Sequence, residues 1–238
     1  MHNIQLLPGL TERLVRRRGQ LEMFPALNAR RTALLAIDLQ NMFLEVGAPL
    51  EIPYAREVVP QINILAAALR DIGGLVVWVA NVFTSETATT WTRYFENVNS
   101  PEFSDRILTG LARGDPLQAL WQDCAVHDAD LLSEKDRYSA FYSPRSNLDA
   151  TLRARGIDTL VIAGTLTNIC CETTARDAMQ LDYKIVMLSD GCATRTDAEH
   201  NATLGTIMSN FGDVASVEEV ISRLKKGCAV DIRLPAAE

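Results

Sequence analysis

Three side chains with complementary chemistry close three separate apolar segments of this chain: the carboxylate of Asp38, the ammonium of Lys135 and the thiol of Cys170. The thiol has the most telling context. It sits in a Thr-Asn-Ile-Cys-Cys-Glu-Thr-Thr-Ala-Arg-Asp-Ala run over 167–178, directly after the apolar segment 159–164. A strand, a tight turn and a helix would place Cys170 in the helix's first turn, where unpaired backbone N–H groups and the positive end of the helix dipole favour an anion. The thiolate is the nucleophilic form, so this placement reads as a nucleophile mount. A free thiol, with a pKa of about 8.5, is mostly protonated at neutral pH, so a base is needed. Asp38 is the candidate base, and Lys135 the cation that holds carboxylate and thiolate together. The turn 164–167 and the helix start offer N–H donors for an oxyanion. Cys171 points about 100° further round the helix and reads as core.

The elements that must position these groups follow from the hydrophobic pattern. Residues 32–37 form a continuous apolar run bounded by charge, the mark of a buried parallel strand, with Asp38 at its end. Helical spacing over 54–72 stops at Gly73-Gly74, and a second buried strand over 75–80 ends at Asn81. Further strands are expected at 130–135, 159–164, 183–189 and 213–217, with helices at 148–155, 168–181, 197–210 and 218–226. Alternating strands and helices predict an α/β fold: an open, mostly parallel six-stranded sheet covered by helices on both faces, a Rossmann-like three-layer α/β/α arrangement. Ligands bind such sheets beyond the carboxyl ends of the strands, where Asp38, Lys135 (read as ending a middle strand) and Cys170 would converge. Residues 83–127 break the alternation. They are polar and aromatic and read as a lid or binding segment.

Bulk properties narrow the partners. The chain has 238 residues and a net charge of −7, which argues against nucleic acid or an anionic membrane as the main partner. No apolar run approaches the roughly 20 residues of a membrane span. The first 25 residues lack the order of a secretory signal, and five cysteines show no framework spacing, so a cytoplasmic setting is expected. The three histidines (His2, His127, His200) are scattered and no Cys-x-x-Cys occurs, so neither a metal site nor a cofactor is expected. The expected division is an arm over 1–31, one domain over 32–226 and a tail over 227–238. Arg16-Arg17-Arg18 in the arm reads as a solvated face or subunit contact, with phosphate binding as the alternative.

Three blocks, Ala36–Phe43, Glu134–Phe141 and Gly164–Ala178, resemble the cysteine hydrolases of the isochorismatase-like superfamily in order and separation. The resemblance implies a catalytic triad on Asp38, Lys135 and Cys170, and a cis peptide at Thr165–Leu166. It also implies oxyanion donors on the N–H groups of Leu166 and Cys170. True isochorismatases resemble the fold but lack the nucleophilic cysteine, so Cys170 favours C–N over vinyl-ether cleavage. Nicotinamidases carry an Asp-x-His metal motif where this chain reads Asn81-Val-Phe-Thr-Ser-Glu86. The second block, with Asn81 and Phe83, is most similar to the ureidoacrylate and N-carbamoyl amidohydrolase branch.

That branch implies substrate contacts at Asn81 and Tyr138, with Phe83, Trp91 and Arg137 as further pocket or carboxylate-binding candidates. The expected activity is hydrolysis of a small amide or ureide through a thioester, in a homo-oligomer (dimer or tetramer). Ether hydrolysis, a nicotinamidase-type reaction, a non-catalytic binding module and a thiol redox protein using Cys170 and Cys171 are the alternatives. A dinucleotide enzyme is disfavoured, because no Gly-x-Gly-x-x-Gly follows the first strand.

Overall fold

In the computed structural model, which describes residues 1–142 and 146–231, six strands among the described residues form one parallel sheet. They are β1 (Thr32–Ile37), β2 (Leu75–Asn81), β3 (Leu131–Lys135), β4 (Thr159–Thr165), β5 (Lys184–Ala193) and β6 (Asp213–Ala215), in the order β3-β2-β1-β4-β5-β6. The helices are α1 (Leu10–Arg18), α2 (Asn41–Leu44), α3 (Pro53–Asp71), α4 (Ser85–Thr90), α5 (Pro101–Gly110), α6 (Leu148–Ala154), α7 (Glu172–Gln180), α8 (Asp197–Thr206) and α9 (Val217–Asp231). None of the described helices is long and apolar enough to cross a membrane.

The buried strands are continuous apolar runs because helices cover both faces of the sheet. Every residue of β1 and of β4 is buried. Alternate residues feed two cores. Leu34 and Ala36 pack with α3 (Val58, Ile62, Leu65, Leu69) and α9 (Val220, Leu224). Ala33, Leu35 and Ile37 pack on the other side with α6, α7 and α8 through Leu152, Ala175, Ala178 and Leu204.

The chain builds β1, β2 and β3 to one side and then returns to place β4 against the other side of β1. That reversal opens a crevice beyond the ends of β1 and β4. Register brings the functional ends level: Asn81 pairs with Lys135, and Ile37 with both Val79 and Gly164. Gly164 has φ +113°, and a Cβ there would fall 2.0 Å from the carbonyl oxygen of Ile37. This close approach of two backbones at the mouth of the crevice requires glycine.

Several expectations need correction. Lys135 ends β3, a middle strand in chain order that lies at the edge of the sheet. β3 is the most exposed strand, with Leu132 at 70%, yet its last residue, Lys135, is fully buried. β5 runs four residues past the expected Ser189, to Ala193, and α9 continues beyond 226 to Asp231. Of the expected tail over 227–238, residues 232–238 lie outside the described residues.

Arg16 and Arg17 are exposed, as expected of a solvated face, and Arg17 and Arg18 also anchor the segment to the domain. α1 buries Leu10 and Leu14 beside Met208, and Arg18 donates to the carbonyl oxygens of Met208 (2.6 Å) and Ser209 (2.9 Å). Arg17 also donates to Ser209 O, so two of the three arginines terminate the helical turn Ile207–Phe211.

Gly164→Ala is expected to destabilise the fold by about 3 kcal/mol or more, because both the positive φ and the backbone contact oppose a side chain. Urea unfolding measures this, and a loss below about 1 kcal/mol would show that the strands can separate at this point.

Candidate active site

Asp38 is the first residue beyond β1 and adopts a left-handed conformation (φ 55°), which a short polar side chain tolerates. Its N–H donates to Val79 O (2.8 Å), which extends the β1–β2 ladder by one bond. Gln40 extends the same seam: its amide donates to Asn81 O (2.9 Å) and accepts from Asn81 N (2.8 Å). That two-way pairing fixes Asn81 beside Lys135.

Lys135 Nζ is the hub. It lies 2.9 Å from Asp38 Oδ2, and both side chains are fully buried. It also donates to Asn81 Oδ1 (3.1 Å), Arg137 O (3.0 Å) and Cys170 Sγ (3.5 Å). The same ammonium lies within hydrogen-bonding distance of Asp38, whose carboxyl also faces the Cys170 thiol and the Asn81 amide.

Burial pushes the Asp38 carboxyl above its usual range, opposed by the charge of Lys135 and by hydrogen bonds from Cys170, Lys135 and Asn81. Burial by itself lowers the proton affinity of Lys135. The negative charges it faces at Asp38 and Cys170 outweigh that, so its ammonium is held more firmly than usual.

Cys170 lies in a single wide π-helical turn, Thr167–Cys171, that leads into α7. Its thiol is raised, first by burial and then by the adjacent Asp38. This overturns the expectation that the helix start alone favours the thiolate. Lys135 is the cation these two groups share, and with Cys170 raised the thiol stays protonated beside the Asp38 carboxyl. Cys171 points into the core, with Sγ 3.8 Å from Ala163 O and Cys192 alongside. The Thr165–Leu166 peptide that precedes the turn is cis.

Cys170 opens onto a cavity of about 210 Å3. Its walls include Asn81, Phe83, Trp91, Tyr94, Tyr138 and Arg137. The aromatic wall is ordered by its own contacts. Trp91 stacks on Tyr94 (4.3 Å, 13°), and Tyr138 meets Trp91 edge-on (4.9 Å, 81°). Phe83 is edge-on to both Trp91 and Tyr94. Phe83, Trp91 and Tyr94 come from the 83–127 segment, whose helix α4 is capped by Thr84 with Thr87 in a reciprocal box, and Tyr138 comes from the turn after β3. Burial raises Tyr94 to about 12 and also raises Tyr138, so both phenols stay neutral.

The two cations of the cavity differ. Arg137 pairs with Asp136 (3.2 Å), donates to Thr90 Oγ1 (2.9 Å) and lies over the Trp91 ring (5.2 Å). Its charge is compensated, and it braces the wall. Arg195 also lines the cavity and is exposed. Sequence reading missed it because β5 was ended at Ser189. Taken to its true end, β5 delivers Arg195 to the same sheet edge as Asp38 and Cys170. Among the described residues, no group of three or more His, Cys, Asp or Glu is placed to hold a metal ion.

Known proteins share this arrangement of elements. The Isochorismatase domain profile matches residues 32–219. The isochorismatase family protein YecD of Escherichia coli O157:H7 is 34% identical over 206 residues, which cover 83% of this chain and 98% of YecD. The ureidoacrylate amidohydrolase RutB of Variovorax paradoxus is 32% identical over 212 residues, covering 82% of each chain. A cysteine hydrolase from Pseudomonas syringae pv. phaseolicola 1448A superposes with a TM-score of 0.74 at 29% identity, covering 87% of this chain and 98% of that one. The profile match over most of the chain and these full-length relatives establish that the chain belongs to the isochorismatase family of hydrolases.

Proposed function

We propose that this protein is a cysteine amidohydrolase that cleaves the C–N bond of a small, carboxylate-bearing amide or ureide through a thioester. The observation that carries this reading is the meeting of Cys170, Lys135 and Asp38 at the floor of an aromatic cavity, with Lys135 Nζ 2.9 Å from the carboxylate and 3.5 Å from the thiol. The name of RutB, an amidohydrolase acting on ureidoacrylate, supports the same bond class.

In this mechanism Asp38 takes the Cys170 proton as Sγ attacks the carbonyl carbon, and Lys135 stays charged opposite the single anion. The carbonyl oxygen gains the negative charge, and the N–H groups of Leu166 and Cys170 stabilise it. As the C–N bond breaks, Asp38 passes its proton to the leaving nitrogen, which departs as ammonia or an amine. Water then attacks the thioester, with Asp38 accepting its proton and returning it to Cys170 as the acid leaves. One carboxyl group thus serves as base and acid in each half-reaction, a use suited to a carboxyl held above its ordinary range by burial.

Arg195 and the Trp91–Tyr94–Tyr138 wall support the substrate class. A cation opposite the reacting floor suits a terminal carboxylate, and flat aromatic walls suit a short planar chain. Asn81 works on the protein side, because its amide holds Lys135 and Asp38.

An ammonia-release screen over ureides, carbamoyl amino acids, maleamate and nicotinamide tests the reaction. Cys170→Ala is expected to lower turnover of any active substrate at least about a thousandfold, while Cys171→Ala retains most of it. Full activity of the Cys170 variant would remove the nucleophile. Arg195→Met is expected to reduce kcat/KM roughly 10- to 100-fold for carboxylate-bearing substrates and to leave their neutral amide counterparts nearly unchanged. Equal losses on both would remove Arg195 as the carboxylate partner.

A further inference from the structure

His2 and His200, far apart in sequence, form a stacked pair against the turn that carries Cys170. Their rings are 4.4 Å apart and 17° from parallel, and Tyr54 of α3 closes the other side of His2 at 4.4 Å. Only 1% of the His2 side chain is exposed. The hydrogen bonds fix its tautomer. Thr194 N donates to His2 Nε2 (3.1 Å), so Nε2 carries no proton, and Nδ1–H donates to Asp197 Oδ1 (2.8 Å). His200 is fixed in the opposite sense. Its Nε2–H donates to Ser189 O (3.1 Å), and its Nδ1 accepts from Thr167 Oγ1 (2.9 Å).

Both rings lead to the nucleophile. Thr167 begins the Cys170 turn, and the next residue, Asn168, accepts at Oδ1 from Thr194 Oγ1 (2.6 Å). Two tethers of the turn, one through Thr167 and one through Asn168, therefore rest on groups that His2 touches. The segment bearing His2 is itself anchored, since Asn201 donates to Asn3 O (2.8 Å) and accepts from Gln5 N (2.8 Å).

We propose that His2 is a positioning residue: its unprotonated Nε2 clamps Thr194 and through it the Cys170 turn, and protonation at Nε2 releases that clamp. A protonated Nε2 would face the Thr194 N–H donor to donor. The groups facing the ring are known from each packed element. Asp197 and His200 come from α8, and Tyr54 comes from α3, whose Glu57 pairs with the Met1 amino group. From β5 comes the Thr194 N–H, and from the Cys170 turn the uncharged Thr167 and Asn168.

Asp197 accepts from Nδ1–H, and the Thr194 donor faces the bare Nε2. Burial and the neighbouring His2 push His200 down to about 4, so His200 stays neutral on mild acidification. Because Cys170 Sγ meets Lys135 at 3.5 Å, loosening this turn parts the nucleophile from its partners. This inference goes beyond the amidohydrolase reading, and its test needs no substrate.

The test is amide hydrogen exchange of peptides covering 165–171 in the full-length native protein, His2→Gln and His2→Phe, corrected for intrinsic pH dependence. Gln offers an oxygen acceptor near the Nε2 position that does not titrate, whereas Phe keeps the ring packing and offers no acceptor. At about pH 7.5 the Gln variant is expected to match the native protein, and the Phe variant to exchange about tenfold faster. At about pH 5.5 the native turn is expected to lose about tenfold of its protection and the Gln variant none. The same pH dependence in native and Gln proteins, or native-like protection of the Phe variant, would overturn the proposal. If the Phe variant fails to fold, the native and Gln comparison decides alone.

Discussion

The arrangement depends on the buried ion pair between Lys135 and Asp38. Neither side chain has any exposed surface, so each charge is tolerable only because of the other. Removing one partner of such a pair typically costs about 3–5 kcal/mol, since the remaining charge is stranded. The pair also sets the chemistry. Lys135 Nζ reaches Asn81, Arg137 O and the Cys170 thiol as well as the Asp38 carboxyl, so one cation ties the groups of the site together. With one cation there is room for one anion, and the raised Cys170 thiol is not that anion at rest. In the proposed mechanism the nucleophile is thus made on demand rather than stored.

The fold exists at this point to bring that pair together from distant parts of the chain. β1 and β4 are buried on both faces and serve as rigid rails. Gly164 lets β4 approach β1 closely enough for the Cys170 turn to reach Asp38. Gln40 locks the end of β2 to the end of β1, and Asn81 passes that order on to Lys135. β3, exposed along most of its length, contributes one deeply buried cation at its tip. The 83–127 segment then closes the site with aromatic rings braced by Arg137.

Much of this was legible in the sequence where the physics is local. The apolar runs at 32–37 and 159–164 announce buried parallel strands, and the charged or reactive residue at each end marks the ligand edge. Expected and observed boundaries of the helix at 53–71 agree to one residue, because its apolar spacing and glycine stop are strong signals. What escaped depends on contacts between distant residues. The edge position of β3 could not be read, because strand order depends on its pairing with the distant β2 and not on its own Leu-Leu-Ser-Glu-Lys run. Arg195 escaped because β5 continues through the polar Ser189-Asp190-Gly191, which pattern reading takes for a turn. Gln40 looks like an ordinary polar residue until its amide is seen to complete a ladder. The upward shift of Cys170 was not legible, because the helix-start argument contains neither its burial nor the neighbouring carboxylate.

The central claim is that Lys135 supplies the charge against which Asp38 and Cys170 share one anion. The most direct measurement is the pH dependence of Cys170 alkylation by iodoacetamide in Lys135→Met beside the native protein, with the modified peptide identified by mass spectrometry. Without the cation, ionising the thiol next to Asp38 becomes harder, so the alkylation profile is predicted to move to higher pH by about one unit or more. A profile that stays in place, or moves to lower pH, would show that the ammonium does not govern the thiol and would contradict the account.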